Sequence, residues 1–285
     1  MMDNQSLIEM LNKDLADEHA AIVRYVIHSY LEGEDSPLGA GLLSRAREEM
    51  WHMHWLGMII GQLGGEPDMK PAPYPFDPKN RRTIFKSYVA YEKKLIPHYM
   101  KEAGLVDDPH IKRVLEREAW ESEMHATKFQ KIVDKMAPEI AESLPGGDNE
   151  LPGAFVEQVQ TIVLAKYNQM LQALRNAWVF QKAPGRGWQI MDFSMTKMKQ
   201  LAHVAEVVAE NGIEPKFQLT AMDASVSIGK ALEKALESLA ITKTLHSNLL
   251  KEAETQKHKG VMVNLDLSIQ QETFEAGDIQ DWLKS

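Results

Sequence analysis

Three glutamates and two histidines in the N-terminal half are of the type and spacing that hold metal cations. Glu18 shares a stripe with Leu11, Leu15, Ile22 and Tyr25, which recur every three or four residues, so its carboxylate points the same way as an apolar helix face. Glu49-Met50-Trp51-His52 places a carboxylate and an imidazole three residues apart, which on a helix turns both toward one point. Glu92 stands between Val89 and Leu95-Ile96, and His125 lies on a fourth helical run. A pair of metal ions inside a helix bundle needs this supply, with one Glu from each of two helices and a Glu-x-x-His from each of the other two. The carboxylates neutralise and bridge the cations, and each imidazole fills a position on one of them.

Four helices must position these groups. The first is expected over about Ser6–Leu31, with Ser6 as N-cap and Glu9 completing a capping box. The second covers about Leu42–Leu63 and stops at Gly64-Gly65, with Pro67 beyond. A connection carrying Pro67, Pro71, Pro73, Pro75 and Pro78 is too long and stiff for a tight turn and suits a crossover at the end of a bundle. The third helix covers about Arg82–Ala103, with a kink expected at Pro97, and Asp107-Asp108-Pro109 opens a fourth that continues to about Met136.

Pro145-Gly146-Gly147 and Pro152-Gly153 mark a linker, after which the pattern restarts. An offset of 148 pairs Ile8 with Val156, Leu15 with Val163, Met50 with Met198, Gly64 with Gly212, Glu66 with Glu214 and Pro67 with Pro215. An offset of 150 pairs Lys101-Glu102-Ala103 with Lys251-Glu252-Ala253 and Leu115 with Leu265. This register predicts an internal duplication. The expected fold is all-α, with two tandem four-helix bundles over residues 1–146 and 151–285.

The detailed motifs carry a family resemblance. Leu11-Asn12-Lys13, then Glu18, Tyr25 and His28, resembles the first helix of bacterioferritin, a ferritin-like di-iron bundle. Glu48-Glu49-Met50-Trp51-His52 followed by Gly64-Gly65-Glu66-Pro67 is similar to that family's second helix and its exit, and the interval from Glu49 to Glu92 matches too. The resemblance covers about residues 6–136, with a weaker echo in the second half. It implies Glu18, Glu49, His52 and Glu92 as ligands of two iron ions, with manganese as an alternative metal and Tyr25 close by to donate a hydrogen bond or an electron.

The fourth helix departs from that pattern, because Ser122 precedes His125 where the family has a bridging Glu. Glu121 (i−4) and Glu118 (i−7) lie on nearly the same face and could substitute through a small rotation or a π-bulge. His125 with Glu121 is the preferred ligand pair, and Glu118 is held in reserve. An ungapped comparison instead puts His125 at the Glu position and Lys128 at the His position. In the second half Glu18 becomes Lys166, Glu49 becomes Lys197, His52 becomes Gln200, Glu92 becomes Thr242 and His125 becomes Glu275. Protonated lysine has no lone pair, so this bundle is expected to hold no metal pair, its ammonium groups either filling the vacated space or pointing outward.

Composition narrows the remaining choices. With no cysteine, disulfides, iron–sulfur clusters and thiolate zinc sites are excluded. The formal net charge of −9 argues against a nucleic-acid groove. No apolar run approaches the roughly 20 residues of a membrane span, and the acidic N-terminus lacks the features of a secretion signal, so a cytoplasmic location is the default. Met50 and Met198 fall where the family places a haem-ligating Met, but core packing is the ordinary use of methionine and haem is not expected. His28 and His54 are candidates for accessory metal sites but read in preference as surface residues, and Arg175, Lys182, Arg186 and Lys199 as a solvated face.

The expected activity is oxidation of Fe(II) by O2 or peroxide, with iron rather than an organic substrate favoured by the resemblance. The alternative is a non-catalytic metal-binding or structural bundle pair acting through association as a homo-oligomer such as a dimer, and a third possibility, from the resemblance, is iron storage in a large shell. The expected partners are metal ions and O2 or peroxide, with no nucleic acid and no membrane.

Overall fold

The computed structural model describes residues 3–183 and 185–284, and among these every regular element is helical. The chain divides into two compact units, the first ending at Gly146 and the second beginning at Gly147.

The first unit contains α1 (Asn4–Glu32), α2 (Pro37–Gln62), α3 (Arg81–Ala103), α4 (Pro109–Lys135) and the single turn α5 (Pro138–Ala141). Helix α1 packs on α2 and α3 on α4, each pair joined by a short loop, and residues 63–80 form the crossover between the pairs. The apolar stripes predicted from spacing face inward: Leu11, Leu15 and Tyr25 of α1, Leu56 of α2, Phe85 of α3 and Leu115 of α4 are all fully buried.

Two helix starts differ from the sequence expectation. Helix α1 is capped by Asp3, whose carboxylate accepts from the Ser6 amide at 2.9 Å, so Ser6 lies inside the first turn and is not the cap. Aspartate at N-cap also complements the positive end of the helix. Helix α2 begins at Pro37, five residues before the expected Leu42, with Ser36 as cap and the ring at the first position, where no amide hydrogen is needed. Gly39 belongs to this first turn because the chain returns so close to α1 that a Cβ there would lie 2.0 Å from the Gly33 carbonyl oxygen. Helix α3 continues through Pro97, and Asp108 caps α4 by accepting from the His110 and Ile111 amides.

The second unit contains α6 (Gly153–Val179), α7 (Arg186–Ala209), α8 (Ile228–Leu249) and α9 (Lys259–Lys284), with a 3₁₀ turn at Thr255–Lys257. Here α6 packs on α7 and α8 on α9, and residues 210–227 form the crossover. Local devices recur at the offset of 148. Gly64 and Gly212 both follow the second helix of their unit with positive φ, 78° and 70°, a conformation that disfavours a side chain. Asn12 donates to the Glu66 carbonyl and accepts from the Asp68 amide, while Gln160 donates to the Glu214 carbonyl and accepts from the Lys216 amide. No described helix is long and apolar enough to cross a membrane.

Candidate metal centre

The apolar stripes carry a few carboxylates and imidazoles into the bundle with them. Glu18, Glu49, Glu92 and Glu118, one from each long helix of the first unit, are each no more than 2% exposed, and His52 and His125 are fully buried beside them. Each imidazole turns Nδ1 toward the others. His52 Nδ1 lies 3.2 Å from Glu18 Oε2 and 2.9 Å from Glu49 Oε2. His125 Nδ1 lies 2.7 Å from Glu49 Oε1 and 3.5 Å from Glu92 Oε1. Glu49 therefore presents one oxygen to each histidine. Two three-residue groups result, Glu18–Glu49–His52 and Glu49–Glu92–His125, with the ligand atoms within each group less than 4.8 Å apart and Glu49 common to both.

The outward nitrogens are held crosswise. Nε2 of His52, on α2, meets Glu121 of α4, and Nε2 of His125, on α4, meets Glu48 of α2. Each supporting carboxylate stands four residues before the histidine of its own helix and buttresses the histidine of the other. A carboxylate on the far nitrogen fixes the tautomer and the ring orientation, the usual support for a metal-bound imidazole. Glu121 is thus placed behind His52, where it also accepts from Arg117 at 2.9 Å, and it belongs to neither three-residue group. Glu118 is the interior residue of that face, and neither of its oxygens has a hydrogen-bond partner.

Two tyrosines reach the centre, Tyr25, which the sequence had singled out, and Tyr99, which it had not. The hydroxyl of Tyr99 donates to Glu18 and that of Tyr25 donates to Glu92 Oε1 at 2.6 Å. Tyr25 also packs against Tyr88 and Phe129 with centroids 5.0 and 5.2 Å away, so aromatic rings close one side of the centre. His28 belongs to this wall and not to the surface. It is fully buried, with Nδ1 2.9 Å from the Tyr88 hydroxyl and Nε2 3.1 Å from Glu32. His54 is half-buried.

Electrostatics give the site its direction. Burial, with the charge of Glu49, raises Glu18 to about 8, and the same causes raise Glu92. Burial drives Glu118 well above the carboxylate range. Burial works against ionisation of Glu49 as well, but His125 and His52 outweigh it and hold that carboxyl well below its usual value. Against the effect of burial, Glu49 and Glu48 push His125 up to about 12. Without cations the centre therefore retains protons.

The donor set fits a pair of divalent ions. Glu92 Oε2, both Glu118 oxygens and His125 Nδ1 are buried with no hydrogen-bond partner, although Nδ1 lies close to Glu49. Four buried carboxylates with two neutral imidazoles carry four negative charges, which two divalent cations cancel. Oxygen and imidazole ligands without thiolate suit iron, manganese or zinc.

A pH dependence follows. Glu18 moves from 4.5 to about 8 and His125 from 6.5 to about 12 on folding, so the metal-free unit binds more protons than the unfolded chain across those windows. The stability contributed by Glu18 is complete below 4.5 and lost as pH rises through about 8; that from His125 is complete below 6.5 and lost toward about 12. Glu49, shifted downward, contributes above 4.5 and loses its contribution on acidification. Calorimetry of metal-free protein is expected to show a Tm for the first unit that falls between about pH 5.5 and 8.5. Divalent metal, which displaces these protons, should reverse that slope. A metal-free Tm that rises over this range contradicts the assignment.

The second unit places different chemistry at the corresponding positions. Lys166, fully buried, donates to Gln200 Oε1 at 2.6 Å and to Glu272. Lys197 Nζ lies 2.7 Å from both oxygens of Glu275, so the Glu49–His125 contact recurs as a lysine–carboxylate contact of opposite polarity. Glu272 also accepts from Thr242 at 2.7 Å and faces His246 at 3.2 Å. Burial lowers Lys166 to about 8 despite Glu272, whereas His246 and Lys166 hold Glu272 at about 2 against its own burial. The lysines thus point inward, one of the two alternatives the sequence left open. Glu272 was missed, yet two inward lysines require counter-charges, and it stands three residues before Glu275. Arg175, expected on a solvated face, is instead buried and donates to the Ser225 carbonyl at 2.9 Å.

Residues 8–137 match the model of the ferritin-like domain family. No curated protein matches the chain.

Proposed function

We propose, from the premise that the first unit is a ferritin-like helical bundle, that it is a di-iron carboxylate protein of bacterioferritin type that oxidises Fe(II). The supporting observation is Glu49, whose two oxygens face His52 and His125 separately, as a bridge between two cations requires. Glu18 and Glu92 would each complete one half of the site, and Glu118 supplies the fourth interior charge in place of the glutamate missing at Ser122. Glu48 and Glu121 orient the imidazoles. When bound, two Fe(II) ions supply the two electrons that reduce one O2 to hydrogen peroxide, or one peroxide to water.

The chain's own groups support that use in several ways. The Tyr25 and Tyr99 hydroxyls fix Glu92 and Glu18, limiting reorientation of those carboxylates. The wall of Tyr25, Tyr88 and Phe129 keeps bulk water from one side. The protons held by His52, His125 and the crowded carboxyls leave as cations enter. The second unit is read as a duplicated bundle in which Lys166 and Lys197 take the place of cations.

Aerobic addition of Fe(II) to metal-free protein tests the activity. Oxidation well above the buffer rate, fastest for the first two equivalents per chain, is expected in the near-ultraviolet. Tight binding with no rate above buffer favours a non-catalytic metal protein, the reading to which Ser122 lends weight by removing one bridge.

Two further variants test the orienting roles. Glu48→Ala and Glu121→Ala are each expected to weaken metal affinity by about 10–100-fold, the usual effect of losing an imidazole's outer partner, while leaving stoichiometry unchanged. Competition titration with a chelator measures this. Wild-type affinity in both variants would remove the crosswise support from the account.

A further inference from the structure

A second buried cluster lies one helical turn along α1 from the centre and takes no part in it. Asp14, four residues before Glu18, is fully buried; His98 and Glu102, four residues apart on one face of α3, meet it from across the helix pair. His98 Nε2 lies 2.9 Å from Asp14 Oδ1 and 3.4 Å from Glu102 Oε2, and one potential ligand atom from each of the three falls within 4.8 Å of the others. Asp14 Oδ2 and Glu102 Oε2 have no hydrogen-bond partner. One imidazole cannot neutralise two carboxylates, so the metal-free cluster keeps a proton on Glu102, which burial and the neighbouring Asp14 raise to about 8, and a cation entering here would displace that proton. A buried Asp–His ion pair alone would need neither Glu102 nor an unpartnered Asp14 oxygen.

Glu118 extends the cluster. It is fully buried on α4 with neither oxygen hydrogen-bonded, and the charges of both Glu18 and Asp14 act on it. The His98 side chain is 36% exposed, which connects the cluster to solvent, whereas Glu18, Glu49 and Glu92 are closed off.

We infer that Asp14, His98 and Glu102 form a third cation site, which takes one divalent transition-metal ion through Oδ2, Nε2 and Oε2 and leaves its remaining positions to water. Its donor set, two carboxylates and one imidazole, suits Mn(II), Fe(II) or Zn(II) and not the all-oxygen shell that Ca(II) prefers. The site needs no ligand from the inner pair, so it stands even if the proposed oxidation does not. If that reading holds as well, the third site is a solvent-connected station beside the closed inner pair.

Mn(II) is the probe, and electron paramagnetic resonance of the free ion counts what the full-length chain binds. Wild type is expected to bind three equivalents, His98→Ala two and Glu49→Ala one. His98 is part-exposed and Glu49 belongs to the other site, so each variant reports on one site alone. In Glu49→Ala the His98 ring signals should broaden selectively on adding Mn(II), a readout that does not depend on altering the third site. Three equivalents retained in His98→Ala, or two in both wild type and His98→Ala, would overturn the third site and leave the pair intact. One equivalent in wild type that Glu49→Ala keeps and His98→Ala loses would support the third site and overturn the pair.

Discussion

Glu49→Ala is expected to lose the metal pair, with affinity for the second ion lowered by more than about 100-fold and Fe(II) oxidation reduced to the buffer rate. Loss of an outer partner alone costs about 10–100-fold, and Glu49 is the one residue common to both halves of the centre. Without it the halves become Glu18 with His52 and Glu92 with His125, two ligands each and no bridge. Glu49→Gln tests the cause further. It keeps the shape and one carbonyl oxygen but removes the charge that stabilises both imidazolium ions in the metal-free state, so it should also bring the His125 pKa down from about 12. Anaerobic Fe(II) titration reads the affinity, and histidine ring NMR reads the pKa. Two tightly bound ions in Glu49→Ala would show that Glu49 is not the bridge.

The second large effect lies in the other bundle. Lys166→Met is expected to destabilise the second unit by about 3–5 kcal/mol, the cost of leaving one member of a buried ion pair unopposed. Glu272 remains in the core, and Thr242 and His246 are then its only partners among those described above. Lys166→Met/Glu272→Met should recover most of that loss, because a buried pair replaced by apolar groups of similar size is often neutral. For a unit of this size the single variant corresponds to a Tm lowered by roughly 10–20 °C. Calorimetry of the full chain should show this shift in the second unit's transition alone. A single variant as stable as wild type would mean that the ammonium groups are not the substitutes for cations proposed here.

Much of the centre was legible because helical periodicity carries direction. Glu18 and Glu92 could be placed inside because the apolar residues around them define a stripe, and Glu49 with His52 because a spacing of three shares a face. The fourth helix was harder. At about 100° per residue, i−4 lies about 40° from His125 on one side and i−7 about 20° on the other, so spacing alone hardly separates Glu121 from Glu118. Packing separates them, with Glu118 buried and Glu121 behind His52. Of Asp14, His98 and Glu102 only the last two share a face along one helix, and the cluster exists only once α1 and α3 are side by side. Buried His28 and Arg175 were read as surface residues for a similar reason: the groups that satisfy them, the Tyr88 hydroxyl and the Ser225 carbonyl, lie 60 and 50 residues away in sequence. The starts of α1 and α2 turned on short-range capping by Asp3 and Ser36, which the apolar periodicity does not report.

Anomalous scattering at the iron edge, from crystals of the full chain grown anaerobically with Fe(II), is the most direct measurement. The account predicts a pair of peaks about 3.5–4 Å apart, one beside His52 and Glu18 and the other beside His125 and Glu92, with a Glu49 oxygen on each, whether or not a third stands at Asp14, His98 and Glu102. A single peak, or none among these residues at saturating Fe(II), would contradict it.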